Sequence, residues 1–186
     1  VVLTNGTFLN GLIHIGDKKI PAGRMGEVRS EGVTESLSSL GLKHGRLKTG
    51  TPPRLNRKTI DWSVLDKISG DEKPSPFSHF HSLFNPPNTP SYCANTNERV
   101  HNIIWENINK SPMYSGEILG VGPRYCPSIE DKINRFKERS RHRLICEPEW
   151  KNSDQIYLNG FSTSLPEKIQ LQALQQIKGF KRVMLI

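Results

Sequence analysis

Cys126 is the residue of this chain best placed for covalent chemistry. It stands in the run GPRYCPSIEDK, which spans residues 122–132. Ser128 is suited to begin a helix as its N-cap, and Asp131 stands three residues later, where a capping acid belongs. A thiol beside Arg124 and near a positive helix terminus is favoured as the thiolate, the nucleophilic form of cysteine. The alternative is a small side chain that fills a turn.

A loop and a following helix must position this cysteine. Ile129, Ile133 and Phe136 recur at helical spacing and predict a helix over residues 129–140. Strands are predicted over residues 1–8, 12–15, 143–147 and 183–186, and a mostly irregular segment over residues 66–92. Further helices are predicted over residues 33–40, after Thr96 as N-cap, and from Pro166. Alternating strands and helices indicate an α/β or α+β fold.

The chain is basic. Its 186 residues include 26 Lys and Arg against 18 Asp and Glu, a formal net charge of +8. This balance favours a nucleic-acid, phosphate or anionic-cofactor partner. Residues 45–54 (GRLKTGTPPR) form a stiff loop that carries Arg46, Lys48 and Arg54. The loop is a candidate cradle for phosphates, and its alternative is a solvated charged loop.

The sequence does not support a metal site, a disulfide-stabilised fold or a membrane-spanning protein. The three cysteines are widely spaced and form no C-x-x-C pair, which argues against zinc and dithiol sites and favours a reducing compartment. His79 and His81 lack a nearby third ligand, so no metal site is predicted. No apolar run approaches the ~20 residues of a membrane helix. The chain starts without methionine and ends in an apolar run, so we expect it to be a piece of a longer protein.

Five runs together extend through nearly the whole chain. They are residues 1–9 (VVLTNGTFL), 45–54, 111–116 (SPMYSG), 122–132 and 157–166 (YLNGFSTSLP). On these runs the chain resembles the MnmG (GidA) family of tRNA uridine-modifying flavoproteins. The resemblance implies an α/β fold that is part of a glutathione-reductase-like FAD/NAD(P)-binding flavoprotein with an inserted second domain. Residues 1–54 would belong to the FAD-binding domain and residues 55–186 to most of the inserted NADH-type domain. The N-terminal dinucleotide fingerprint and the C-terminal helical domain are not in this sequence.

The family's chemistry adds a carboxymethylaminomethyl or aminomethyl group to C5 of the tRNA wobble uridine, U34. The resemblance implies FAD, NADH and methylene-tetrahydrofolate as cofactors and one-carbon donor. The implied partners are tRNA and an MnmE-family GTPase, with a homodimer that joins the GTPase in a heterotetramer or larger complex, and no membrane. The implied compartment is the bacterial cytoplasm, or the mitochondrion in a eukaryote. The segment by itself is expected to be inactive.

The resemblance also implies roles for individual residues. Cys126 matches the family's catalytic cysteine, either as a nucleophile at C6 of uridine or as a general acid or base. Ser30 matches an FAD contact, and Arg46, Lys48 and Arg54 are candidates for tRNA or phosphate contact. The segment matched to the nicotinamide cofactor comprises Gly122, Pro123, Arg124, Tyr125, Cys126, Pro127, Ser128, Ile129, Glu130, Asp131, Lys132, Ile133, Asn134, Arg135 and Phe136.

The sequence departs from the family's pattern at a few positions. Trp150 replaces the glycine usually found after Glu149, and Cys146 replaces an aliphatic residue, so we interpret Cys146 as a packing residue. The residues around Ser30 diverge as well. The alternative function is a non-catalytic tRNA- or nucleotide-binding fragment or a degenerate homologue. A disulfide reductase would share the fold but needs a redox cysteine pair, which this sequence lacks.

Overall fold

Short hairpins and one helix form the N-terminal part of the fold. The computed structural model describes residues 1–80, 84–118, 120–122 and 125–186. Strand β1 (Ile13–Ile15) pairs antiparallel with β2 (Lys18–Ile20), and β3 (Ala22–Arg24) with β4 (Glu27–Val28). Gly26 closes the second hairpin at a positive φ of 77°, which favours glycine. Helix α1 (Val33–Ser39) follows, and its apolar residues are not buried.

A five-stranded antiparallel sheet forms the centre of the fold. Its strands are β5 (Arg54–Asn56), β6 (Asp66–Ile68), β7 (Ser91–Asn95), β8 (Arg143–Pro148) and β9 (Gln155–Asn159). They lie in the order β5-β9-β8-β7-β6. The mixed α and β content of the predicted fold class is confirmed, with antiparallel pairing between these neighbouring strands.

Three helices pack about this sheet. They are α2 (Glu98–Glu106), α3 (Ile129–Arg135) and α4 (Glu167–Leu174), and α2 packs against both α3 and α4. The core joins sheet and helices through side chains that are almost fully buried, among them Leu55, Ile104, Ile129, Leu144, Leu158, Phe161, Leu174 and Phe180. Burial of apolar area at about 25 cal/mol per Å² is the main force that holds the helices to the sheet.

The end of the chain returns to the strand at the edge of this sheet. Leu185 forms an antiparallel bridge with Leu55. The amide of Asn56 donates to the Met184 carbonyl at 2.9 Å, and the amide of Ile186 donates to the Arg54 carbonyl at 3.0 Å. The strand predicted over residues 183–186 is therefore reduced to a short bridge.

Three predicted boundaries are wrong. Residues 1–8 form no strand, because in the described part of the chain their backbone pairs only with Ser30, and a single bridge at Leu9 does not make a ladder. Helix α3 ends at Arg135, because Phe136 adopts a non-helical conformation and lies exposed, and residues 137–141 are all polar. Asn97, and not Thr96, caps α2: its Oδ1 accepts from the Val100 amide at 3.1 Å, while Thr96 Oγ1 accepts from the His142 amide at 2.8 Å.

Candidate active-site cleft around Cys126

A capping box fixes the start of helix α3 directly after Cys126. Ser128 Oγ accepts from the Asp131 amide at 3.1 Å, and Asp131 Oδ2 accepts from the Ser128 amide at 3.3 Å. The Ile129 amide donates to the Ser162 carbonyl at 2.7 Å. The predicted cap is confirmed, and it anchors the segment that carries Cys126 to the end of the central sheet.

Cys126 lies exposed at a cleft of about 690 Å³. The cleft is bounded by the N-terminal hairpins, by the loop over residues 49–54 and by the end of β9, and Tyr125, Pro127 and Lys132 also line it. Thr49 Oγ1 donates to the Cys126 carbonyl at 3.5 Å, so the basic loop and the cysteine segment meet at this point. A cleft of this volume is in the range of small-molecule and cofactor sites.

A buried ion pair forms one wall of the cleft. Arg54 Nε lies 2.7 Å from Glu149 Oε1, and the two side chains are 6% and 7% exposed. Arg24 Nη2 lies 2.8 Å from Glu149 Oε2. The Arg54 guanidinium carbon also lies 4.8 Å from the centroid of the Tyr157 ring. Arg54, predicted as a phosphate contact, is therefore neutralised by Glu149 and positions Tyr157 in the wall of the cleft.

Lys132 provides a cation inside the cleft. Its Nζ donates to the Gly160 carbonyl at 2.8 Å, and partial burial lowers the pKa of the amine. Gly160 has a φ of +92°, and a Cβ at this position would lie 3.0 Å from the Arg143 carbonyl oxygen. Glycine is required there, because both the positive φ and the close backbone approach disfavour a side chain. Of the described residues matched to the nicotinamide cofactor, Lys132 is the one charged side chain that lines the cleft.

Glu130 lies on the other side of α3, fully buried and away from the cleft lining. Its Oε1 accepts from Thr163 Oγ1 at 2.8 Å, from Ser111 Oγ at 3.1 Å and from the Ser164 amide at 3.3 Å. Its Oε2 has no hydrogen-bond partner, and burial raises the pKa of this carboxyl group. Glu130 therefore ties three separate segments together behind the cysteine and does not face a ligand.

The remaining predicted cations are dispersed. Arg46 is exposed, and its Nη1 donates to the Asn10 carbonyl at 2.9 Å, while Lys48 Nζ donates to the Met113 carbonyl at 3.1 Å. Ser30 is exposed, and its backbone exchanges hydrogen bonds with Phe8 and Asn10. None of Ser30, Arg46 and Lys48 is among the described residues that line the cleft.

The other members of the predicted nicotinamide segment divide between core and surface. Ile133 is buried in the core, Phe136 stacks beneath the guanidinium of Arg139, and Gly122, Asn134 and Arg135 are exposed. Pro123 and Arg124 lie outside the described residues, as does His81. The predicted effect of Arg124 on the thiol therefore stays a prediction. Tyr157 and Thr49 are cleft residues that motif analysis did not single out, although both lie in runs that match the family.

Two further cysteines, Cys93 and Cys146, lie among the described residues. Cys146 is buried, and burial raises the pKa of its thiol to about 12, which agrees with the packing role inferred from sequence. Cys93 is partly buried.

No group of three His, Cys, Asp or Glu side chains suited to a metal ion is found among the described residues. Over the same residues, no helix has the length and apolarity needed to cross a membrane.

Comparison with protein-family models matches residues 1–186 to the family described as glucose inhibited division protein A. The chain is similar to the tRNA uridine 5-carboxymethylaminomethyl modification enzyme MnmG of Campylobacter fetus, with 51% identity over 186 residues that cover 100% of this chain and 30% of that protein. The MnmG of Cytophaga hutchinsonii is 52% identical over 182 residues, which cover 97% of this chain and 29% of that protein.

Solved structures give the same result. The chain is similar to Aquifex aeolicus GidA in its form I crystal, with a TM-score of 0.84 and 44% identity over 98% of this chain and 32% of that one. For the form II crystal the TM-score is 0.81 and the identity 41%, over 98% of this chain and 30% of that one. The chain thus spans about 30% of the length of the relatives that it matches.

Proposed function

Because this chain belongs to the glucose inhibited division protein A family, we propose that it is the central segment of a tRNA uridine 5-carboxymethylaminomethyl modification enzyme. The whole protein would modify C5 of the wobble uridine, U34, of its substrate tRNAs. The observation that supports this proposal most directly is the placement of Cys126, which lies at an open cleft with its motif anchored by the Ser128 capping box.

The cleft suits the reactive end of one dinucleotide cofactor of the proposed enzyme. It offers aromatic rings, the Lys132 ammonium group and backbone at the glycines Gly50 and Gly160, and its volume accommodates a ring system with an attached sugar. Of residues 122–136, the cleft residues Tyr125, Cys126, Pro127 and Lys132 would contact NADH, and Ser30, which lies outside this cleft, would contact FAD. When bound, these cofactors supply reducing equivalents and methylene-tetrahydrofolate supplies the carbon unit.

Cys126 is proposed as the catalytic residue, and its chemistry follows from the electronics of uridine. C5 is a weak nucleophile in the free base. Addition of a thiolate to C6 converts C5 to an enolate-like carbon that takes up a one-carbon unit. Removal of the C5 proton by a base and departure of the thiolate from C6 then restore the C5=C6 double bond. In the second mechanism the thiol donates or accepts a proton at the reacting base. Exposure of Cys126 at the cleft is compatible with either mechanism.

The organisation of the whole protein is part of the proposal. Residues 1–54 belong to an FAD-binding domain and residues 55–186 to an inserted NADH-type domain. The full-length protein acts as a homodimer with an MnmE-family GTPase, in the bacterial cytoplasm or in mitochondria. The proposed substrate, tRNA, agrees with the excess of positive charge on this segment.

A second candidate is a tRNA- or nucleotide-binding protein without catalysis, which the net charge of +8 favours. The two candidates differ in their dependence on the thiol. Binding of tRNA through phosphate contacts does not need Cys126, whereas modification of uridine does.

The test uses the full-length protein and its Cys126→Ser variant. We expect the variant to keep bound FAD, visible as the flavin absorbance, and to leave U34 unmodified in a mass-spectrometric digest of the tRNA. The matched control is Cys146→Ser, since Cys146 is buried in the core and lies outside the cleft. Full modification of U34 by Cys126→Ser would refute the catalytic role.

Reduction of the flavin gives a second readout. We expect the flavin absorbance of the full-length protein to bleach when NADH is added, in the wild type and in Cys126→Ser alike. A protein that stays colourless after incubation with FAD would favour the binding function over the enzyme.

A further inference from the structure

A second groove, of about 910 Å³, lies apart from the Cys126 cleft and shares none of its lining residues. Three stretches that are distant in sequence form it: residues 58–64, the N-terminal end of α2, and residues 175–182. Five exposed cations line it, namely Lys58, Arg99, Lys178, Lys181 and Arg182. We refer to it as the basic groove.

Hydrogen bonds to backbone carbonyls hold the walls of the basic groove together. The Asp61 amide donates to the Gly179 carbonyl at 2.9 Å, and Asn97 Nδ2 donates to the Gln176 carbonyl at 2.8 Å. Gly179 has a φ of +86°, and a Cβ there would lie 3.0 Å from the Asp61 carbonyl oxygen, so the turn is closely packed. The cations therefore project from a preorganised scaffold, which reduces the conformational cost of binding.

The charges of the basic groove are only partly neutralised. Asp61 is the one carboxylate among the described lining residues, and it accepts from the Ser63 amide and hydroxyl. Lys58 pairs with Asp154 at 2.7 Å. Within the described part of the chain, no carboxylate lies within 4.0 Å of the charged nitrogens of Arg99, Lys178, Lys181 or Arg182. This differs from the Cys126 cleft, where Arg24 and Arg54 share Glu149.

We propose that the basic groove binds the phosphate backbone of the tRNA substrate, at a site separate from the cleft where the uridine reacts. The cations come from three chain segments on an exposed surface, an arrangement that suits successive phosphates of a strand better than one small anion. The inference rests on the proposed function, because it takes tRNA as the substrate.

The side chains of the basic groove also specify how the RNA is bound. The described lining contains no aromatic residue on which a base would stack. Lysine and arginine contacts to phosphate fix position and register but do not discriminate between bases. The groove therefore contributes affinity that depends strongly on salt and hardly at all on nucleotide sequence.

The experiment compares two triple variants of the full-length protein. The first, Lys178→Gln, Lys181→Gln and Arg182→Gln, removes three cations of the basic groove. The matched control, Lys43→Gln, Lys67→Gln and Lys151→Gln, removes three exposed lysines from outside it. Both variants lose three positive charges, so they have the same net charge as each other, and both replace exposed side chains. Equilibrium binding of purified tRNA is measured over a series of KCl concentrations, together with steady-state modification of U34.

We expect the groove variant to bind tRNA about tenfold or more weakly and to lower the slope of log Kd against log salt by about 2 to 3 units. KM for tRNA rises while kcat at saturating tRNA is unchanged, because the Cys126 cleft is intact. An unrelated RNA of similar length loses affinity to the same extent. The control variant stays close to the wild type.

Three results would overturn the inference. If the groove variant keeps the wild-type Kd and salt slope while U34 is still modified, the basic groove does not bind RNA and the proposed function stands. The inference also fails, while the proposed function stands, if the variant loses affinity for the GTPase partner and not for tRNA. The groove would then be a protein interface. If the wild-type protein neither binds nor modifies tRNA, the proposed function fails together with the inference.

Discussion

Substitution of Glu130 tests whether a buried carboxyl group holds the cysteine segment in place. Its Oε1 accepts three hydrogen bonds, from Ser111, Thr163 and Ser164, and each is worth about 0.5–1.5 kcal/mol. Glu130→Ala removes all three and leaves a cavity in the core, so we expect it to lose about 3–5 kcal/mol of local stability. Glu130→Gln keeps an oxygen acceptor of the same shape, and we expect it to lose about 1 kcal/mol or less at neutral pH.

The stability that Glu130 contributes depends on pH, because its carboxyl group titrates. Burial raises the pKa of Glu130 above its ordinary value of 4.5, so the folded state holds its proton more tightly than the unfolded state does. The stabilising contribution is therefore complete below about pH 4.5 and is lost as the pH rises through the folded-state pKa. Glutamine does not titrate. The stability of the wild type should fall relative to Glu130→Gln across this window.

Hydrogen exchange measured by mass spectrometry on the full-length protein provides the assay. Protection of amides in residues 128–135 and 161–165 reports local opening of the elements that Glu130 joins. A loss of about 3 kcal/mol lowers protection at least a hundredfold in Glu130→Ala. Comparison of variants at one pH cancels the intrinsic exchange rates. The reasoning is refuted if Glu130→Gln opens as readily as Glu130→Ala, or if the difference between wild type and Glu130→Gln does not change with pH.

Three further predictions concern stability and reactivity. Glu149→Gln leaves two arginines without their shared carboxylate and should lower the free energy of unfolding by about 3 kcal/mol in a denaturant titration. Glu167→Gln, at an exposed pair, should lower it by less than about 1 kcal/mol. Equal losses in the two variants would contradict the burial argument. Asn97→Ala removes the cap of α2 and should cost about 1 kcal/mol, measured as a lower denaturant midpoint, and an unchanged midpoint would argue against the cap. Iodoacetamide at pH 8 should label Cys126 and spare Cys146 until the protein is unfolded; early labelling of Cys146 on peptide mapping would disprove its burial.

The parts of the site that could be predicted from sequence depend on neighbours along the chain. Ser128 and Asp131 lie three residues apart, and helix geometry alone brings their side chains to each other's amides. The assignment of Cys146 to the core is also correct, and it followed from the family resemblance, since the family usually has an aliphatic residue at this position. These features need no knowledge of what packs against them.

The remaining features depend on residues that are far apart in sequence. Arg54 was predicted as a candidate for tRNA or phosphate contact, but its side chain pairs with Glu149, which is 95 residues away, and no local pattern signals the pair. The basic groove combines cations from positions 58, 99 and 178–182, which come together only when α2 and α4 pack on the sheet. Glu130 stood in a motif assigned to a cofactor, and its burial follows from which face of α3 meets the core. Tertiary packing decides these roles, and sequence periodicity does not.

The bridge between β5 and the last residues has a consequence for modular evolution. Arg54 and Ile186 share a hydrogen bond, so the two ends of the long segment between them lie side by side. A unit with adjoining ends can be added to a host fold, or removed from it, without separating the host's own strands. Its strand pairing and core lie mostly within its own boundaries. A segment whose ends adjoin in this way is suited to transplantation as a whole, because a short linker spans the distance between positions 54 and 186.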